Sequence, residues 1–185
     1  MHWRVISHEF PTNRFAEASE QRSWSHLEDL SLGKLDERNG TLAGTLSHLP
    51  PMRRSRLQSS MFGPLKFDTF RKRLFNTIKD LDLTGAIDIT SRMSLCVLEE
   101  CIHLEEFKTM IINADDIDTV SSSRPPRVFR GLRRLELMFV FTSTASNDIA
   151  FEALSGLTNL EHLYVGHGKH SASELAVSYL QEHRV

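Results

Sequence analysis

The stretch Ala-Leu-Ser-Gly-Leu-Thr-Asn-Leu-Glu-His-Leu-Tyr-Val-Gly, Ala153 to Gly166, decides the fold. Its leucines fall at 154, 157, 160 and 163, and its last part reads L-x-x-L-x-V, from Leu160 to Val165. The same frame recurs upstream as Leu132, Leu135, Leu137, as Ile78, Leu81, Leu83, and as Leu27, Leu30, Leu32. A looser copy is Leu104, Phe107, Thr109. From Ile78 the copies advance by 26, 28 and 28 residues. Those steps fall within the roughly 20 to 29 residues of a leucine-rich unit. The gap from Leu27 to Ile78 is 51 residues, about two such steps, and a degenerate copy is placed around Leu49 and Met52. Pro50 and Pro51 count against that copy because proline supplies no ladder donor.

Alternation gives the frame its physical meaning. In a strand, Leu81 and Leu83 share one face while Asp80, Asp82 and Thr84 share the other. The segments Phe67 to Leu74, Ser94 to Cys101 and Ile149 to Leu154 carry helical spacing between the strands. One unit cannot bury its leucines alone, so copies must stack. The expected fold is α/β: a short leucine-rich-repeat-like solenoid, with parallel strands on the concave face and helices on the convex face. Residues 24–168 would form the solenoid, residues 1–23 an N-terminal cap or remnant, and residues 169–185 a capping helix introduced by Ser171 and Glu174 at capping-box spacing. Gly33 to Gly44 and Asp115 to Arg127 read as surface loops, and Pro50 to Arg56 as a small basic turn.

Composition bounds the function. The chain has 185 residues, 40% hydrophobic and 25% charged, which is ordinary for a globular protein. Twenty-two Lys and Arg against 24 Asp and Glu leave a formal charge of -2, which argues against phosphate-backbone binding as its main role. No apolar run reaches the length of a membrane span, and Met1-His2-Trp3-Arg4 does not open a signal peptide. The expected location is intracellular, cytoplasmic or nuclear, with no nucleic-acid or membrane partner. Cys96 and Cys101 are too few for a disulfide framework and read as buried thiols.

Several segments resemble the repeat region of fungal F-box and leucine-rich-repeat proteins. They are Trp24 to Leu32, Asp80 to Gly85, Val97 to Phe107, Gly131 to Leu137 and Leu157 to Gly166. The resemblance covers about residues 24–168. It implies substrate capture by the repeats and, through an F-box, docking to the adaptor of a cullin-based ubiquitin ligase. Residues 1–23 do not carry the leucine-proline start or helical pattern of an F-box. A truncated relative, a fragmentary gene product and a free-standing repeat module all remain open.

No familiar catalytic pattern occurs. Gly166 to Ser171 lacks the spacing of a phosphate-binding loop and reads as a turn whose glycines permit positive φ. His162, His167 and His170 have no completing Cys or carboxylate at metal-ligand spacing. The expectation is therefore a non-enzymatic recognition module with no cofactor, no metal and no catalytic residue. Its partner-binding residues would be those alternating away from the leucines: Asp29, Ser31, Asp80, Asp82, Glu106, Lys108, Arg134, Glu136, Met138, His162 and Tyr164. Five carboxylates against two bases predict a face acidic toward its N-terminal part, suited to a protein partner with a basic segment, with Met138 and Tyr164 as apolar anchors.

Overall fold

A computed structural model describes residues 2–5, 26–32, 49–110, 112–113, 116, 131–140, 154 and 157–167. The expected capping helix at 169–185, the loop at Gly33 to Gly44, nearly all of the loop at Asp115 to Arg127 and all but Leu154 of the helical segment at Ile149 to Leu154 lie outside these residues. The described part is a mixed α/β structure: a parallel sheet with two helices.

In chain order the elements are β1 (His2–Val5), β2 (Asp29–Leu32), β3 (Arg54–Met61), α1 (Pro64–Leu74), β4 (Asp80–Ile87), α2 (Ser91–Glu100), β5 (Glu106–Lys108), β6 (Ile112–Asn113), β7 (Arg134–Val140) and β8 (His162–His167). Every strand pairing is parallel. Phe139 is matched with Ile112 on one side and His167 on the other. Strands β5 and β6 are thus two pieces of one edge-to-edge neighbour of β7, and the sheet runs in the order of the chain. The matched positions His2, Asp29, Arg54, Asp80, Glu106, Arg134 and His162 advance by 27, 25, 26, 26, 28 and 28 residues.

The alignment is held by a repeated fork at the residue before each strand. The carbonyl of Glu28 accepts from the backbone N–H groups of both Arg53 and Arg54, at 2.8 and 3.0 Å. Arg53 does the same for Lys79 and Asp80, Lys79 for Glu105 and Glu106, Glu105 for Arg133 and Arg134, and Arg133 for Glu161 and His162. Using both lone pairs of one carbonyl satisfies two donors where each strand begins. Side chains at these positions alternate in sign over much of the row. Lys79 pairs with Glu105, and Arg133 reaches Glu161 at 2.5 Å.

The apolar frame fills the other face. Leu27, Met52, Ile78, Leu104 and Leu132 are buried just ahead of the strands, and Leu30, Leu81, Phe107 and Leu135 are buried in the next inward row. Helix α1 begins at Pro64, whose missing N–H costs nothing in a first turn, and buries Phe67, Phe70 and Leu74 at helical spacing. Phe62, Phe67, Phe70 and Phe75 meet edge to face, with centroids 5.5 to 6.3 Å apart. Helix α2 is capped by the Thr90 hydroxyl, which accepts from Met93 N–H, and buries Ser94, Leu95, Val97 and Leu98. Glu100 of α2 receives a two-pronged ion pair from Arg71 of α1, at 2.5 and 2.6 Å. Both helices thus contribute to the same core as the inward strand residues.

Three expectations change. The basic stretch up to Arg56 is not a turn: Arg54 to Arg56 opens β3, aligned with Asp29 to Ser31. Pro50 and Pro51 do not obstruct it, because the first donors used are the N–H groups of Arg53 and Arg54. Residues 2–5, outside the frame as read from the sequence, pair with β2 as a further strand. Gly166 and His167 continue β8 instead of starting a turn, and no positive φ is needed at Gly166. A Cβ on Gly166 would lie 3.1 Å from Met138 Cγ, so its small size makes room for the neighbouring methionine.

Two polar residues occupy inward positions otherwise held by aliphatic or aromatic side chains. Thr109 is buried, and its hydroxyl shares a 2.8 Å hydrogen bond with that of Ser94 on α2. Ser55 is buried between Leu30 and Leu81 in the register, and its hydroxyl has no hydrogen-bond partner among the described residues. An orphaned buried hydroxyl is destabilising. Ser55→Ala should therefore raise unfolding stability by about 1 kcal/mol, measured by urea titration. Leu135→Ala, at a fully buried position, should lower it by about 2 to 5 kcal/mol in the same experiment.

Candidate functional site

The candidate site is the sheet face opposite the helices, where outward residues form rows across the strands. The first row is Asp29, Arg54, Asp80, Glu106, Arg134 and His162, matched rung by rung. The second is Ser31, Arg56, Asp82, Lys108, Glu136 and Tyr164. All the residues expected on this face from Asp80 to Tyr164 therefore lie together, with Met138 standing beside Gly166 above the second row.

That face is nearly balanced in charge instead of markedly acidic. Arg54 and Arg56 stand between Asp29 and the Asp80 and Asp82 side chains, and reading β3 as a turn left both out of the expected charge balance. With them, the nine charged residues named in the two rows comprise five carboxylates and four bases. Most are paired laterally: Arg54 with Asp29 at 3.8 Å, Arg56 with Asp82 at 3.0 Å, and Lys108 with Glu136 at 2.8 Å. Opposite charges at adjacent rungs are the sheet counterpart of helical i,i+4 pairs.

Within this face the carboxylates have different roles. Asp82 is 7% exposed and fully engaged: Arg56 holds one oxygen, and Thr84 donates both N–H and hydroxyl to the other, at 3.1 and 2.6 Å. It braces β4. Asp80 is half-buried and carries neither hydrogen bond nor ion pair among the described residues, although Glu106 stands beside it on the next rung. Burial, and then the neighbouring Glu106 charge, push the Asp80 carboxyl above its ordinary range. Arg54 and Arg56 pull the other way, and Asp82 adds to the rise. Arg134, further along the row, is exposed and also has no ion pair among the described residues.

The relief of the face is shallow. A hollow of about 240 Å³ opens over β2 to β4, between Asp29, Ser31, Arg54, Arg56, Asp80 and Asp82. At the other end Tyr164 projects, 64% exposed, with His162 also exposed. A second hollow, about 420 Å³, lies along the two helices beside Arg71, Met93, Cys96 and Glu99. Burial, reinforced by Glu100, pushes the Cys96 thiol up to about 11, and burial raises the Cys101 thiol further. Both thiols are therefore protonated at neutral pH and weak nucleophiles.

Among the described residues no group of three or more His, Cys, Asp or Glu is placed to hold a metal ion, and no helix is long and apolar enough to cross a membrane. His170 lies outside the described residues. No family model matches the chain, and neither the curated proteins nor the solved structures include a match.

The raised Asp80 carboxyl has a consequence with a definite sign. Its folded form binds a proton more readily than its unfolded form, so its stabilising share is complete below the ordinary carboxylate value and is lost as pH rises through the folded value. At neutral pH the ionised group opposes folding. Asp80→Asn should stabilise the protein at pH 7, with the advantage fading below about pH 4, measured by denaturant titration across that range.

Proposed function

We propose that the chain is a short leucine-rich-repeat-like solenoid that binds a protein partner on the open face of its sheet, with no chemistry of its own. The observation that carries this reading is the succession of parallel strands in chain order, aligned at steps of 25 to 28 residues. That is the period of leucine-rich units. The helices lie on the far side, as the convex layer of such a solenoid would, and leave the rows of Asp29 to His162 and Ser31 to Tyr164 facing solvent as its concave surface.

Recognition on this face rests on shape and on the few charges without an ion pair among the described residues, because lateral ion pairs absorb most of the rest. Tyr164 is suited to be the main apolar anchor: it is exposed, stiff and able to donate a hydrogen bond. Met138 and Tyr164 both lie close to Gly166, at the same end of the face. The F-box-type resemblance of the repeats extends this proposal to substrate capture for a cullin-based ubiquitin ligase, inside the cell.

Affinity capture of the tagged chain from a lysate of its source organism, with mass spectrometry of the retained proteins, tests both levels. A protein retained by the wild-type chain should be depleted about tenfold or more by Tyr164→Ala. An unchanged set of retained proteins would count against the face. Recovery of a cullin-type adaptor would assign the ligase role; a partner without any adaptor would leave a free-standing recognition module.

A further inference from the structure

Three charges on the open face have no partner among the described residues while their neighbours are paired: Asp80, Glu106 and Arg134, on consecutive rungs of one row. Two like charges lie side by side, then one of the opposite sign, and none of the three has a hydrogen bond or ion pair among the described residues. Resting on the recognition reading above, we infer that the partner lays an extended segment across the strands, with a Lys or Arg side chain over Asp80 and Glu106 and an Asp or Glu two residues along over Arg134.

Geometry supports that spacing. Neighbouring strands lie about 4.8 Å apart, so the point midway between Asp80 and Glu106 is roughly 7 Å from the Arg134 rung. Side chains two residues apart on one side of an extended chain are separated by about 6.8 Å. A cation bridging the carboxylates relieves their mutual repulsion, and the half-buried setting of both strengthens the attraction. The same two carboxylates repel phosphate, which favours a protein segment over nucleic acid. The order of charges also gives direction, since the basic residue must lie on the β4 side and the acidic residue on the β7 side. Tyr164, on the next rung beyond Arg134 and in the neighbouring row, is placed to contact the partner's chain just past the acidic residue.

Selection of random linear peptides displayed on phage, against the immobilised full chain, tests the inference directly. Enriched peptides should carry Lys or Arg two positions from Asp or Glu. Asp80→Asn combined with Glu106→Gln should weaken them about tenfold or more. Arg134→Glu should weaken them similarly, and changing the peptide's acidic residue to Lys should restore binding to that variant. Circular dichroism and denaturation of each variant establish that it is folded, and the exchanged-charge rescue cannot arise from a misfolded chain. Peptides that lack the paired charges, or that bind the variants unchanged, overturn the inference. If such peptides are nevertheless lost on Tyr164→Ala, the recognition face itself stands. If no peptide is recovered, or none depends on Tyr164 or the three charges, both the inference and the recognition reading fall.

Discussion

Everything in the described structure depends on one small arrangement, the carbonyl that receives two N–H groups from the next strand. It occurs at Glu28, Arg53, Lys79, Glu105 and Arg133, and it fixes where each strand begins relative to the last. Parallel strands cannot be joined by a tight turn, so the connecting chain must leave the sheet and return. Returning to the correct rung is the hard part, because a slip of one residue would turn every leucine toward water. A two-donor acceptor at each entry point makes the correct rung the one in which no backbone group is stranded. The crossings between strands can then differ in length, as the 25 to 28 residue steps do, without disturbing the alignment.

The outward rows are a product of that alignment. Once Arg56 stands beside Asp82, and Lys108 beside Glu136, their charges neutralise one another without contact from any partner. The charges that stay available are the exceptions. Asp80 is such an exception: its environment penalises its charge, yet a carboxylate occupies the position. A group held against the preference of the fold is a natural place to look for a role in recognition. Asp82, two residues along the same strand, shows the contrast, because every oxygen has a donor and the residue stabilises β4.

The strands with clean leucine frames were legible in the sequence, and their outward residues could be named from alternation alone. Leu81 and Leu83 placed Asp80 and Asp82, and Leu135 and Leu137 placed Arg134 and Glu136, as the register confirms. The strand read only as a degenerate copy, with its opening residues taken for a turn, was β3. Its inward position is held by Ser55 in place of a leucine, its start comes shortly after two prolines, and its arginines resemble a solvated turn. The surviving signal was Leu49, Met52 and Leu57, all buried, at the spacing of the other copies. Losing β3 also lost Arg54 and Arg56, so one misread rung was enough to make a nearly balanced half of the face read as strongly acidic. The forks and the ion pairs across strands were invisible for a different reason: they join residues about 26 positions apart, and no local pattern announces them.

Ser55 has a meaning beyond its local energetic defect. In a sheet laid down in chain order, each rung touches mainly the one before and the one after, so cohesion is shared among successive junctions and is only as good as the poorest of them. A hydroxyl without a partner among the described residues, set between Leu30 and Leu81, detracts from the junctions on both sides of β3. An apolar side chain at this one position would therefore act on two junctions at once, because the pairings of β3 with β2 and with β4 meet at Ser55.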